Sequence, residues 1–152
     1  MRFVEPGRAI DAAELTEIES RLGLTFPMAL RETYLAANGG CPEPYVYNGR
    51  HVETVVSELL PLISDEHGTA VQTYERLVRR LRLVPDRLFP FAVDGGGDYF
   101  FVDCAHQEGR VFFYRSDTAC DNKLLDLGVG LAEFWAGLEE EEGNTSVVRD
   151  VE

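Results

Sequence analysis

IESRLGLTFPMALRETYLAANGG, the stretch from Ile18 to Gly40, reads as a helix, a break, a second helix and a stop. Upstream, Asp11 and Glu14 stand in capping-box spacing, with the Asp11 carboxylate placed to accept an early helical N–H and Glu14 to reach back. From there Ala12, Leu15, Ile18, Glu19 and Leu22 trace one helical face, apolar except for Glu19 at its edge, and Gly23 can take the left-handed conformation that ends a helix. A first helix is therefore expected over Ala12–Leu22. Pro27 suits the first turn of a second, where its missing N–H costs nothing, and Leu30, Tyr34 and Leu35 supply a stripe expected to be buried. Asn38, Gly39 and Gly40 close it.

A second informative stretch, PFAVDGGGDYFFVD from Pro90 to Asp103, reads as strand, glycine turn and strand. With Arg110 to Tyr114 it predicts a three-strand meander, since β-branched and aromatic runs alternate with turn residues. Between the two stretches, Pro42 and Pro44 enforce an extended link, and Tyr45 to Tyr47, Asn48-Gly49 and His51 to Val56 read as a hairpin with an Asn-Gly turn. Leu59 to Ile63 continues that sheet or forms a separate strand, with Pro61 favouring an edge. Thr69 to about Leu83 has helical spacing in Val71, Tyr74, Leu77, Val78 and Leu81. A last helix is expected over Leu127–Glu142, capped by Asp126, with Leu131, Phe134, Trp135 and Leu138 buried. Helices set apart from consecutive antiparallel strands, without a repeat or linker, make an α+β single domain over residues 1–143, with 144–152 expected as a flexible tail.

The 152 residues suffice for one core without staples, and a hydrophobic content of 45% excludes wholesale disorder. No apolar run approaches a membrane span, and Arg2, Glu5, Pro6 and Arg8 interrupt the N-terminal segment, so a cytoplasmic location is expected. Cys41, Cys104 and Cys120 are an odd set at irregular spacing, which fits free thiols in a reducing compartment. Acidic residues outnumber basic ones 27 to 14, for a formal net charge of −13. That excess repels nucleic acid and anionic membrane and accelerates encounter with a cationic partner; it also keeps a protein soluble. Only Arg76 to Arg87 runs the other way, with five arginines against Asp86.

Five constellations are candidates for chemistry. Asp94-Gly95-Gly96-Gly97-Asp98 resembles a phosphate-binding loop in its glycines, yet it has no lysine, no Ser or Thr for a metal, and leads into a strand. It reads as a hairpin connection that also offers two carboxylates beside an unobstructed backbone. Asp103, Cys104 and His106 with Cys120 or Asp117 lack the paired spacing of a zinc site, and pairing Cys104 or Cys120 with His51, His67 or His106 as nucleophile and base has no local pattern behind it. Glu139 to Glu142 and the arginine face read as solvated surfaces. No cofactor or metal is expected.

The order of these motifs resembles the SUKH superfamily, the Smi1-like domains of bacterial immunity proteins and fungal cell-wall synthesis regulators. The resemblance is carried by Leu15, Glu19, Leu22, Gly23, Phe26, Pro27, Tyr34, Leu35 and Asn38-Gly39-Gly40, then by Pro90, Phe91, Ala92, Gly97, Asp98, Tyr99 and Asp103, and finally by Phe134 and Leu138. It departs at Asp126-Leu-Gly-Val-Gly, where a Ser and an aromatic often open the last helix, and in the arginine-rich segment. The resemblance implies a non-catalytic protein that binds and neutralises a cognate toxin, commonly one acting on nucleic acid; the alternative is an intracellular adaptor like the fungal members. A basic protein partner fits the net charge, as a monomer or weak homodimer, without nucleic acid or membrane. Carboxylate density on turns beside the sheet places the expected contact surface at Asp94, Gly95, Gly96, Gly97 and Asp98, joined by Asp117 and Asp121.

Overall fold

The structure is a computed structural model that describes residues 1–66, 68–116 and 122–141. Two helices open it after a short strand β1 (Arg2–Val4): α1 (Ala12–Leu22) and α2 (Met28–Ala36). Helix α1 has the bounds the sequence predicts, with both arms of the Asp11–Glu14 capping box formed and Gly23 at φ 70. Glu19 does more than edge the helix. Its carboxylate accepts the Phe26 N–H at 2.6 Å and pairs with Arg31, so it ties the break between the helices to the start of α2.

Helix α2 buries Leu30, Thr33 and Tyr34, whereas Leu35 is 45% exposed, contrary to the expected stripe. Position 35 lies about 100° around the helix from Tyr34. Thr33 takes the inward place because its hydroxyl donates to Ala29 O at 2.8 Å and receives the Trp135 indole N–H at 3.1 Å.

After β2 (Cys41–Glu43), which pairs antiparallel with β1, six strands run in chain order as one antiparallel sheet: β3 (Val46–Asn48), β4 (Glu53–Leu59), β5 (Leu88–Asp94), β6 (Tyr99–Asp103), β7 (Arg110–Tyr114) and β8 (Leu124–Gly130). The expected meander is its centre. The expected hairpin forms as β3 and β4, but Asn48 pairs with Glu53, so Asn-Gly is not a two-residue turn. Gly49 to Val52 makes the connection, closed by Gly49 N–H to Val52 O at 3.0 Å.

Between β4 and β5 lies α3 (Ala70–Tyr74), which widens into a π-helical turn over Glu75–Arg80. There Leu81 N–H reaches back five residues to Arg76 O at 2.9 Å. This extra residue rotates the downstream face, so Leu81 is 51% exposed and Val84 closes the core in its place.

The largest difference falls at the C-terminal side. Residues expected to begin the last helix form β8, and α4 (Leu131–Ala136) starts only after Gly130. Pairing with β7 at Leu124, Leu125, Asp126 and Gly130, across a bulge, holds the segment extended, while Gly128, at φ 78, and Gly130 weaken a helix there. Asp126 is consequently no cap; it accepts the Gly128 N–H at 2.9 Å and pairs with Arg110 at 3.1 Å. The predicted buried side, Leu131, Phe134, Trp135 and Leu138, does face the core. Beyond α4, Glu139 exchanges both backbone hydrogen bonds with Val46 and so extends the sheet past β3.

One aromatic core joins these parts. Phe134 stacks on Tyr47 and meets Phe91 and Phe100, while Phe89 packs against Phe26 and Tyr74. The expected tail at 144–152 lies outside the described residues.

Candidate functional site

The glycine turn between β5 and β6 is built around the Asp94 side chain. Asp94 is buried, and its Oδ1 accepts N–H groups from Gly96 at 3.0 Å and Asp98 at 2.7 Å. Its Oδ2 accepts the Thr54 hydroxyl at 2.9 Å, across the sheet on β4. Asp98 Oδ1 accepts the Ser116 hydroxyl at 2.5 Å and its N–H at 3.3 Å, which fixes the end of β7 to the same turn. The turn is thus rigid from beneath, and its tip, Gly95 to Gly97, is exposed.

The three glycines are not equivalent. Gly97 sits at φ 91, where L side chains are strained; Gly95 and Gly96 do not occupy the positive-φ region. A Cβ on Gly95 would come no nearer than 3.8 Å to Val55, and one on Gly96 no nearer than 3.6 Å to Asp94. Neither backbone geometry nor crowding requires glycine at 95 or 96. Asp117 and Asp121, the other acids of the expected surface, lie outside the described residues, as do Cys120 and His67.

Asp103, Cys104 and His106 do not assemble a reaction centre. The Asp103 carboxylate is occupied by Ala105 N–H at 2.8 Å and Arg87 Nε at 3.2 Å. Burial, with the charges of Asp103 and Glu19 adding to it, pushes the Cys104 thiol up to about 12, so at neutral pH it is protonated and a poor nucleophile. His106 is exposed, and among the described residues no three His, Cys, Asp or Glu side chains are grouped to hold a metal.

Much of the arginine-rich segment is internal bracing. Arg79 donates to Leu22 O at 2.5 Å, at the end of α1, with its guanidinium 5.2 Å from the centre of the Tyr74 ring. Arg87 holds Asp103, and Arg76 reaches the Tyr99 hydroxyl at 3.4 Å. No pattern in the local sequence announces these roles, because Leu22, Asp103 and Tyr99 are each 16 or more positions away from the arginine they meet.

The sheet, the helices and the motif order converge on one assignment. The model of the SMI1 / KNR4 family (SUKH-1) matches residues 9–137, from the residues before α1 to the end of α4, and the chain belongs to that family. No curated protein and no solved structure matches it. Among the described residues no helix is long and apolar enough to cross a membrane.

Proposed function

We propose that this chain is a bacterial immunity protein that captures a cognate toxin, one acting on nucleic acid, in a one-to-one complex and without turnover. Family membership sets the class, and the charge sets the partner. A toxin that handles nucleic acid must be cationic where it binds its substrate, so a chain of net charge −13 is drawn to that surface and competes with phosphate for it.

The observation that carries the reading is the exposed, braced tip of the Asp94–Asp98 turn. Two of its glycines answer no demand of the fold, and side-chain-free backbone there lets a partner approach closely. In this reading Asp94 shapes the rim from below, and Gly95, Gly96, Gly97, Asp98, Asp117 and Asp121 are the residues that contact the toxin. Co-expression with the toxin encoded beside it tests this: a stable one-to-one complex that abolishes toxin activity is expected. A failure to associate with any neighbouring toxin, together with capture of a host regulatory protein, would move the chain to the adaptor class.

A further inference from the structure

The sheet registers align residues that are far apart in sequence. Glu58 pairs with Val93, Val93 with Tyr99, Tyr99 with Tyr114, and Tyr114 with Leu124. Paired residues in antiparallel strands project to one face, so these five form a row across β4 to β8, roughly 19 Å long at about 4.8 Å per strand. Next to it runs Pro90, Phe101, Phe112 and Asp126, paired in the same way. Val93, Tyr99, Tyr114, Leu124 and Phe112 are each half-buried and packed against the core, whereas Pro90 and Phe101 in the second row are buried, so the exposed part of the strip is the first row with Phe112.

Carboxylates stand at opposite corners of this strip, Glu58 at one and Asp126 at the other. Asp126 is paired with Arg110. Glu58 has no hydrogen-bond or ion-pair partner among the described residues, and partial burial raises its pKa, the mark of a carboxylate short of compensation. It opens onto a groove of about 420 Å³ with Leu60, Thr73, Arg76, Val93 and Tyr99. Arg76 meets Tyr99 at its hydroxyl, at the edge of the ring. The strip also abuts the glycine turn, since Tyr99 follows Asp98 directly and Ser116, bonded to Asp98, lies two residues beyond Tyr114.

We infer that this tyrosine strip is a docking surface for a cationic segment of the protein partner, whose arginine or lysine side chains lie over Tyr99 and Tyr114 with one cation at Glu58. The inference rests on the proposed capture of a basic protein and adds a second contact beside the glycine rim. Aromatic faces attract guanidinium and ammonium groups, and their apolar area holds the aliphatic stems. Tyrosine is also among the residues that most often dominate the energetics of protein interfaces. Net charge brings the partner in; the strip holds it.

The test uses the full chain with ring-labelled tyrosine and methyl-labelled valine and leucine, titrated by NMR with an eight-residue alternating Arg-Leu peptide and a Glu-Leu control. Shifts concentrated on Tyr99, Tyr114, Val93 and Leu124, absent with the control, are expected. Tyr114→Ala and Tyr99→Ala each weaken binding about three- to fivefold. Glu58→Gln, at an exposed position that leaves the fold intact, weakens it about threefold at low salt. A peptide that binds at the glycine rim or at Glu139 to Glu141 while the tyrosines stay silent would overturn the strip and leave capture of a basic partner standing. An arginine peptide that binds nowhere, even at low salt, would overturn both.

Discussion

The chain contains two glycine runs that follow a polar residue, Asn38-Gly39-Gly40 and Asp94-Gly95-Gly96-Gly97, and they are put to opposite uses. Asn38 is buried; its Nδ2 donates to Arg8 O at 2.8 Å and Ile63 O at 2.9 Å, and its Oδ1 accepts Leu62 N–H at 2.8 Å. Gly39 and Gly40 sit at φ 99 and 106, and a Cβ on Gly40 would lie 2.8 Å from Val4 O. Every group in that run is demanded by the fold. In the second run the demand stops at Asp94 and Gly97, and the two glycines between them are available to a partner. Glycine alone therefore says little about use; room and backbone angle separate structural glycines from those left open.

Substitutions separate the two runs, and the largest effect belongs to the first. Asn38→Ala leaves two carbonyls and one N–H unpaired in a buried site and is expected to cost about 4 kcal/mol, read as a lowered urea midpoint at unchanged slope. Gly40→Ala adds left-handed strain to a backbone clash and should cost about 3 kcal/mol in the same assay. Asp94→Ala removes three hydrogen bonds from under the turn and should cost about 2 kcal/mol, so its effect on binding must be compared with its effect on folding. Gly95→Ala and Gly96→Ala sharpen the contrast: each should change stability by less than about 0.5 kcal/mol while weakening the toxin complex at least about tenfold by calorimetry. If both bind toxin as the unaltered chain does, the rim is not the contact.

The smallest expected effect is one of pH. Burial works to raise the Asp126 pKa, but the Gly128 N–H and Arg110 outweigh it and hold the carboxyl below its ordinary value. A carboxyl lowered in the folded state stabilises fully above its unfolded pKa and loses that contribution as pH falls through the folded value. At this exposed pair the amount is about a few tenths of a kcal/mol, seen as a slightly shallower loss of melting temperature below pH 4 in Arg110→Gln.

What was legible in the sequence follows the range of the interactions involved. Helix α1 could be bounded to the residue because Asp11, Glu14 and Gly23 act within a turn or two of it. The meander and the family resemblance were legible for the same reason, in strand runs broken by local turns. Strand β8 was not, since Leu124 to Gly130 becomes a strand only by pairing with β7, and its leucines also suit a helix. The outward turn of Leu81 depends on a π-helical residue without a sequence signature. At the site, the exposed glycine tip could be anticipated, but the burial of Asp94 depends on Thr54, forty positions away in the chain. The tyrosine strip was hidden for a similar reason, as its members meet only through the registers of five strands.

Titrating purified toxin with this protein while following toxin activity and the mass of the species formed tests stoichiometric capture most directly. Inhibition should rise linearly and break at one equivalent, with a single one-to-one complex in solution. Complete inactivation by a small fraction of an equivalent, with the toxin recovered chemically altered and no complex present, would contradict capture and establish an enzyme instead.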